Sequence, residues 1–233
     1  KINTEPHIEY ELRDHFKFEV PNAKFMPQYR GRNWNGEIHL FDMRSKQIYV
    51  GLLDKIVNFC NQYGYTYKFE DNKFYGTPYE ENDRISFEGV KDYMSSICSH
   101  SPRKYQIEGV YGALKHNRKL LISPTASGKS LMIYSLVRYY VDQGQKILLV
   151  VPTTSLVEQM YKDFQDYGWN ADSYCHRIYS GKEKSNDAPV TITTWQSVYK
   201  LERSFFEDYN VVIGDEAHLF KSKSLIQIMT KLH

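Results

Sequence analysis

The chain has 233 residues, with 30 Lys and Arg against 28 Asp and Glu, which gives a formal net charge of +2. This balance excludes a basic field spread over the whole molecule, so any affinity for nucleic acid must come from local clusters. A composition of 41% hydrophobic and 25% charged residues is that of a globular protein with one large domain or two modest ones.

The cysteines and the apolar runs exclude further classes of protein. Cys60, Cys98 and Cys175 are scattered along the chain, a pattern that fits neither a disulfide framework nor a zinc site. No apolar run approaches the ~18 residues that a membrane-spanning helix needs. We therefore expect a cytoplasmic protein with no zinc and no membrane partner.

The first part of the chain has the pattern of a small α+β domain. Apolar spacing predicts a helix over 5–17, strands over 38–43, 47–53 and 65–69, and helices over 52–63 and 87–98. Gly64 is placed to end the second of these helices. A polar, turn-rich segment over 70–84 reads as a connector. We place the end of this domain at residue 98.

From residue 99 onward, helical and strand patterns alternate. Helices are predicted over 104–116, 128–142 and 153–167, and strands over 119–123, 146–151, 189–194 and 210–215. Strands that alternate with helices of this length indicate a parallel sheet covered by helices on both faces. The expected fold class is therefore α/β, with a second domain over 99–233.

The segment SPTASGKS, residues 123–130, has the pattern of a phosphate-binding loop. Gly128, Lys129 and Ser130 fit G-x-x-x-x-G-K-[ST], whereas Ser123 stands where the first glycine would be. Lys129 can reach the β- and γ-phosphates of a nucleotide, and the Ser130 hydroxyl can bind Mg²⁺. The alternative is a strand-to-helix turn that matches the pattern by coincidence.

Small side chains in this loop allow backbone N–H groups to converge on phosphate oxygens, and the helix that follows adds its positive end. The residues expected to cradle the phosphates in this way are Thr125, Ala126, Ser127 and Gly128.

A second candidate component follows the last predicted strand. Asp215 comes directly after the strand, where it can hold Mg²⁺ through water, and Glu216 can orient or deprotonate an attacking water. A carboxylate pair in this place could also be a solvated turn. The helix and strand units between Lys129 and Asp215 match what a nucleotide-binding sheet requires. Lys129, Asp215 and Glu216 are accordingly the candidate catalytic residues.

The loop at 123–130 and the DEAH tetrapeptide at 215–218 together resemble motifs I and II of the superfamily-two helicases and translocases. The resemblance implies a RecA-like fold for the second domain, with ATP and Mg²⁺ as cofactors and with Ser130 and Asp215 as metal-site residues. It implies that Arg103 and Gln106, in SPRKYQIEG, belong to a motif that recognises adenine.

Two further segments resemble motifs of the same superfamily that follow the backbone of one nucleic-acid strand. The residues concerned are Thr153 and Thr154 in the first segment and Thr194 and Gln196 in the second. Their short donors suit phosphate contacts, which position a strand without reading its sequence, although threonines in such places also cap helices. His218 is in the place that couples nucleotide state to the partner domain, or it is simply a packed histidine.

A cluster of basic and aromatic residues marks the first domain. Between residues 22 and 49 basic residues outnumber acidic ones, and Arg30, Arg32 and Trp34 lie close together in the sequence. Such a mixture can hold phosphates and stack on exposed bases. It can equally be a small core built on Phe25, Trp34 and Phe41 with the arginines as its solvated rim.

The first hundred residues resemble the N-terminal region of phage repair helicases of this superfamily. That likeness implies an N-terminal DNA-binding domain and an ATP-dependent DNA helicase that acts on branched DNA and R-loops in recombination, repair and replication. It would place the protein in the host cell cytoplasm. Its partners would be branched DNA, RNA–DNA hybrids and a second RecA-like domain of the same chain.

The residues leave several alternatives open. A double-stranded DNA translocase or an RNA helicase shares the same motifs, and a DNA-binding or annealing module without catalysis is a third class. Because the arginine finger of such motors comes from the second RecA-like domain, we expect residues 1–233 alone to be a fragment that binds nucleotide weakly and hydrolyses little.

Overall fold

The computed structural model describes residues 1–70, 82–116, 119–124, 126–179, 187–217 and 223–231. The chain divides into two compact units, Lys1–Glu80 and Glu81–His233. This division falls before the boundary at residue 98 that the sequence suggested. The reason is helix Phe87–Ile97, whose Val90 and Met94 are buried in a hydrophobic cluster of the second unit.

The helices are α1 (Pro6–His15), α2 (Pro27–Arg30), α3 (Leu53–Tyr63), α4 (Phe87–Ile97), α5 (Lys104–His116), α6 (Lys129–Asp142), α7 (Thr154–Asp166), α8 (Ala171–Tyr174), α9 (Trp195–Val198), α10 (Arg203–Glu207) and α11 (Lys223–Lys231). The strands are β1 (Lys17–Glu19), β2 (Glu37–His39), β3 (Ile147–Val151), β4 (Cys175–Ile178), β5 (Val190–Thr194) and β6 (Val211–Gly214). Within the described ranges, no helix combines the length and the hydropathy that crossing a membrane would demand.

The first unit is built on a short antiparallel pair and a small apolar core. β1 pairs with β2 so that Phe18 lies opposite Ile38. The buried side chains of the core come from α1, α3 and the segments beside β1 and β2: Leu12, Phe16, Phe41 and Phe59. Gly64 ends α3 as predicted, since its φ of +74° is a conformation that favours glycine and its N–H donates to the Cys60 carbonyl.

Strand predictions in this unit were mostly wrong. Only part of 38–43 lies in a strand, β2, and the predicted strand at 47–53 is instead a 3-10 turn over Val50–Leu52. Residues 65–69 are not in a strand either. Apolar and aromatic residues form strands only where a neighbouring strand offers pairing and burial, and here Tyr49, Val50 and Tyr67 are exposed.

The second unit contains a parallel four-stranded sheet in the order β4-β5-β3-β6, which confirms the predicted fold class. All five residues of β3 are buried, as are all five of β5. Alternate residues of β3 face opposite sides: Leu149 packs in a cluster with residues of α6 and α7, and Leu148 packs in a cluster with residues of α10 and α11. The sheet is therefore covered by helices on both faces.

The strand predicted at 119–123, just before the candidate loop, is absent from the structure. Leu120 is 65% exposed and Ile122 is 92% exposed, and the described residues of this segment join no ladder. β6 consequently forms one edge of the described sheet. An apolar run alone does not distinguish a paired strand from an unpaired one, because the pairing partner supplies the stabilisation.

Candidate active site

The carboxyl ends of the parallel strands bring several predicted residues to one edge of the sheet. β3 pairs with both β5 and β6, with Val151 opposite Thr194 and Val150 opposite Gly214. Asp215 follows β6 directly, and its N–H donates to the Val150 carbonyl at 2.9 Å. Ligands of open α/β sheets bind outside this edge, so the fold itself places the acidic pair where a site belongs.

The loop before α6 contains two residues with a left-handed backbone conformation. Ala126 has a φ of +61° and Gly128 a φ of +78°, and α6 begins at Lys129. Left-handed residues beside right-handed ones turn successive N–H groups toward one point, and a helix N-terminus adds partial positive charge. The start of α6 therefore offers N–H groups to a phosphate, whereas the Ser127 N–H donates to the Pro124 carbonyl at 3.3 Å. Thr125 lies outside the described residues.

Glycine is required at position 128 for two reasons. Its positive φ disfavours any side chain, and a Cβ added there would lie 2.3 Å from Gln106 Nε2. That nitrogen belongs to a buried side chain whose movement would break hydrogen bonds. The close approach of α5 to the loop thus depends on the absence of a side chain at 128.

Gln106 and Tyr105 of α5 both donate hydrogen bonds to one carbonyl group of the loop, that of Ser127. Gln106 Nε2 donates to the Ser127 carbonyl at 3.0 Å, and the Tyr105 hydroxyl donates to that carbonyl at 2.8 Å. Gln106 Oε1 accepts from the Arg103 N–H at 2.8 Å. Both ends of the Gln106 amide are thus engaged with the protein, and adenine recognition by Gln106 and Arg103 stays a prediction.

Ser123 replaces the expected glycine with a polar contact. Its Oγ lies 2.5 Å from the Oγ of Ser127, a hydrogen bond that closes the loop. Ser127 is 8% exposed. The departure from the glycine pattern therefore adds an interaction inside the loop and leaves the left-handed positions, Ala126 and Gly128, unchanged.

Lys129 meets the acidic pair directly. Its Nζ lies 3.2 Å from Glu216 Oε1, although the two residues are 87 positions apart in the chain. Both side chains are about one third exposed, at 34% and 35%, so solvent and ligands can reach them. The Asp215 Oδ1 accepts from the Glu216 N–H at 2.8 Å, and Glu216 has a φ of +52°. The structure thus brings the two predicted motifs together in one place.

The Ser130 hydroxyl contacts two residues that the sequence reasoning missed. Its Oγ lies 2.9 Å from the Tyr167 hydroxyl, and it also hydrogen-bonds the Asp163 carboxyl. Burial raises the pKa of Asp163 and of Tyr167, and the hydrogen bond with Ser130 acts in the opposite direction on both pKa values. No motif identifies these residues. The available signal was their spacing of four at the end of one helix, α7.

The residues predicted to contact nucleic-acid phosphates lie at the ends of β3 and β5. Thr153 caps α7, since its hydroxyl oxygen accepts from the Leu156 N–H at 3.3 Å, and Thr154 is exposed in the first turn. Thr194 is 3% exposed, with its Oγ1 2.9 Å from Ser197 Oγ, whereas Gln196 is exposed. Capping by Thr153 is thus observed, and the phosphate contacts stay predictions. His218 falls outside the described residues.

Arg30, Arg32 and Trp34 line one cavity of about 730 Å³ in the first unit. Trp34 is half-buried and its Nε1–H donates to the Glu37 carbonyl at 2.6 Å. Of the three aromatic residues that could have formed a core, Phe41 is 1% exposed and Phe25 is 61% exposed. The arginines and the tryptophan therefore line a shallow, open basic and aromatic depression, separate from the Phe41 core.

The site residues fit the cofactors that the sequence implied. Lys129 supplies a cation, and the N-terminus of α6 supplies backbone N–H groups for phosphate oxygens. Ser130 and Asp215 supply a hydroxyl and a carboxylate, the oxygen ligands that Mg²⁺ prefers. These groups are of the kinds that a magnesium–triphosphate complex requires.

Two sequence families match the chain. The family described as type III restriction enzyme, res subunit, matches residues 99–233. The family described as DNA helicase UvsW, N-terminal, matches residues 1–70.

Known relatives agree with these family matches. The chain is 34% identical to the ATP-dependent DNA helicase uvsW of Enterobacteria phage T4, in an alignment that covers 100% of this chain and 47% of that protein. The chain thus spans about half the length of this curated relative. A crystal structure of the UvsW helicase from bacteriophage T4 superposes with a TM-score of 0.80 at 34% identity and covers 100% of this chain and 84% of that one.

A more distant structure, the Sulfolobus solfataricus SWI2/SNF2 ATPase core in complex with dsDNA, shares the fold alone. Its TM-score is 0.51 at 16% identity, over 58% of this chain and 31% of that one. The paired motifs, the parallel sheet and the alignment of this whole chain to part of the T4 helicase agree with one another. The chain belongs to the superfamily-two DNA helicases, in the family that contains the UvsW helicase of phage T4.

Proposed function

We propose that the chain carries the DNA-binding domain and the first motor domain of an ATP-dependent DNA helicase that acts on branched DNA and R-loops. The observation that carries this proposal is the ion pair between Lys129 and Glu216 at 3.2 Å. It joins the phosphate loop to the acidic motif at the carboxyl edge of a parallel sheet. Membership of the helicase family supports the same conclusion.

The ion pair suggests how the site responds to nucleotide. Lys129 and Glu216 neutralise each other while no phosphate competes for the ammonium group. A triphosphate tail offers Lys129 more negative charge than one carboxylate does. Lys129 then turns toward the phosphates and leaves its ion pair with Glu216, and the Glu216 carboxylate orients the attacking water and accepts its proton. Asp215, held by its backbone against β3, stays in place for the metal.

Ser130 and Asp215 would hold Mg²⁺, which would supply positive charge to offset the negative charge that develops on the phosphate oxygens. The protein's own part is to fix these two residues, Ser130 at the start of α6 and Asp215 through its backbone hydrogen bond to β3. Gln106 and Tyr105 keep the loop in its cradling conformation through the Ser127 carbonyl. Hydrolysis further requires a cationic group opposite the phosphates, which we assign to a second RecA-like domain of the same chain.

The contacts with nucleic acid are divided between the two units. Thr153, Thr154, Thr194 and Gln196 are assigned to the backbone of one strand, and Arg30, Arg32 and Trp34 to a branched region. The three residues of the first unit share one cavity, which supports a common ligand. The biological setting is repair, recombination and replication in the cytoplasm of the host cell, as for a phage helicase.

The proposal is tested by nucleotide binding to residues 1–233. Titration with a fluorescent ATP analogue and Mg²⁺ is expected to give weak, saturable binding that Lys129→Ala lowers at least about tenfold, since charge-assisted phosphate contacts are lost. Glu216→Gln is expected to keep binding or strengthen it, because it removes the competing carboxylate. Equal affinity in the parent chain and in Lys129→Ala would refute the nucleotide site.

The type of motor is tested separately. A protein that also carries the second motor domain is expected to displace a strand from branched DNA when ATP is present. Movement along duplex DNA without strand separation would make it a translocase. Stronger stimulation of ATP hydrolysis by RNA than by DNA would make it an RNA helicase.

A further inference from the structure

We propose that the cavity of the first unit is a binding site for one unpaired DNA nucleotide at a branch point. We call it the Trp34 cavity, and define it by Lys24, Tyr29, Arg30, Arg32, Asn33, Trp34 and Asn35. The inference rests on the proposed function, since it names the part of a branched substrate that this unit recognises. Its chemistry is nevertheless independent of the nucleotide site.

The cations of this cavity are available for a ligand. Lys24, Arg30 and Arg32 are exposed, and among the described residues none of them forms an ion pair. The neighbouring Lys17 and Lys46 contrast with them, because each is paired with a glutamate at 3.3 and 2.7 Å. The cavity lining includes no carboxylate. Three unneutralised cations around one recess attract an anion such as a phosphate.

Aromatic surfaces share the recess with the cations. Tyr29 is 41% exposed, and Trp34 is half-buried with its Nε1–H bound to the Glu37 carbonyl. That hydrogen bond holds one edge of the indole ring and thereby sets the orientation of the ring. Fixed aromatic rings provide stacking surfaces for bases, and stacking tolerates any base because every base has a π face.

Amide groups provide a third kind of contact. Asn35 is held by Glu37, to which its Nδ2 donates at 2.8 Å, while its Oδ1 accepts from the Glu37 N–H at 3.1 Å. Asn33 is exposed beside it. An asparagine side chain has both a donor and an acceptor for the edge of a base.

The combination selects an unpaired nucleotide over duplex DNA. Cations alone would suit any phosphate, but bases in a duplex are stacked on each other, so their faces are not available to an aromatic ring on the protein. An unpaired base can leave its stack and lie on Trp34 or Tyr29 while its phosphate meets Arg30 and Arg32. The volume of about 730 Å³ falls within the range of about 300–1,000 Å³ that is usual for small-ligand sites.

The test uses the whole chain and three fluorescent DNA probes of equal duplex length. These are a fork with two unpaired thymidine arms, a blunt duplex, and the same fork with abasic arms. We expect the parent chain to bind the thymidine fork about tenfold more tightly than the abasic fork, the scale of one stacked base. Equal affinity for the two forks would overturn the proposal, because no base would then be bound.

Charge variants address the phosphate contacts. Arg30→Gln and Arg32→Gln are each expected to weaken binding of the thymidine fork about three- to tenfold and to lower the salt slope by about one, with the blunt duplex unchanged. Lys55→Gln is the matched control, because Lys55 is an exposed cation on α3 that does not line the cavity. Equal losses for fork and duplex would indicate a general phosphate contact and overturn the proposal.

A cross-linking experiment tests the same site in the parent chain, without a substitution that could unfold it. A fork with 5-iododeoxyuridine in one arm is irradiated with the parent chain, and mass spectrometry is expected to place the cross-link on Tyr29 or Trp34. Cross-links confined to the second unit would overturn the proposal. A fork with ribonucleotide arms is expected to bind no more tightly than the DNA fork, and clearly tighter binding would overturn the assignment to DNA.

These outcomes are separate from failure of the proposed function. If the chain fails to bind the ATP analogue, the fork measurements still test the Trp34 cavity. If the chain shows no preference for the thymidine fork, the effect of Lys129→Ala on nucleotide binding still tests the proposed function. Each proposal can therefore fail alone.

Discussion

The two units of the chain distribute their apolar and charged residues in different ways. In the second unit, β3 and β5 are wholly buried, and the acidic pair Asp215 and Glu216 follows the neighbouring strand β6. In the first unit, all three residues of β1 are exposed and only a small aromatic core is buried. The second unit therefore positions its chemistry with a rigid sheet, whereas the first presents its cations and rings on a surface.

The largest expected effect is a loss of ATP turnover caused by a substitution in the second unit. Glu216→Gln, assayed with the second motor domain present, should lower ATP turnover by about 10²–10⁴-fold, the usual contribution of a general base. Binding of branched DNA should be unchanged, because the Trp34 cavity lies in the other unit. Steady-state ATP hydrolysis measures the turnover, and a titration with fork DNA measures the binding. Glu202→Gln, an exposed acid elsewhere in the same unit, is the control, and unchanged turnover in Glu216→Gln would remove that residue from its role.

A second pair of variants asks whether the units are stable separately. Phe59 and Phe164 are both buried, at 2% and 0% exposed, in different hydrophobic clusters. Truncation of either to Ala should cost about 3–5 kcal/mol of its unit's stability. Thermal unfolding, fork binding and ATP-analogue binding should show that Phe59→Ala affects the first unit and Phe164→Ala the second.

The small core of the first unit makes Phe59→Ala the more damaging change, since a small unit has little stability to lose. If either variant removed both binding activities together, the two units would have to fold as one, and the contrast between them would fail.

A third effect concerns the close approach at Gly128. Gly128→Ala should lower the free energy of unfolding by about 2–3 kcal/mol, because it adds backbone strain and forces Gln106 off the Ser127 carbonyl. Gly144→Ala should cost only about 1 kcal/mol: its φ of +70° is similar, but its added Cβ meets nothing within 4 Å. Chemical denaturation measures both. Equal costs would mean that Gln106 does not constrain the loop.

The smallest expected effect tests the contact at Ser130. Tyr167→Phe removes the hydroxyl 2.9 Å from Ser130 Oγ and should change stability by about 1 kcal/mol or less. The Mg²⁺ concentration that gives half-maximal ATP-analogue binding should shift by a few-fold, because Ser130 is no longer held. Tyr174→Phe, at an exposed tyrosine of the same unit, should leave this midpoint unchanged. An identical midpoint in Tyr167→Phe would make its contact with Ser130 merely structural.

The second unit was the more predictable one. Its buried strands read as continuous apolar runs, and the spacing of Gly128, Lys129 and Ser130 reflects phosphate chemistry that any such loop must obey. The meeting of Lys129 with Glu216 followed from the loop motif before α6 and the acidic motif after β6. The strand expected at 119–123 was wrong because its apolar residues, with Ile122 the most exposed, lack a pairing partner.

The first unit was less predictable, since short strands and exposed aromatics carry little periodic signal. Composition could not tell which of Trp34, Phe25 and Phe41 is buried, because all three residue types suit a core equally well. Tyr167 and Asp163 were missed for a related reason. Contacts between side chains on different helices depend on packing, which no local pattern records.

One helix has a consequence for how the two ends of the motor site communicate. α7 begins beside Thr153, at the edge assigned to the nucleic-acid strand, and ends beside Tyr167, which touches Ser130. Its 13 residues form a rod about 20 Å long, from the usual rise per residue. Since such a rod resists compression, a force applied by the nucleic-acid strand at one end would be transmitted to the Ser130 hydroxyl at the other.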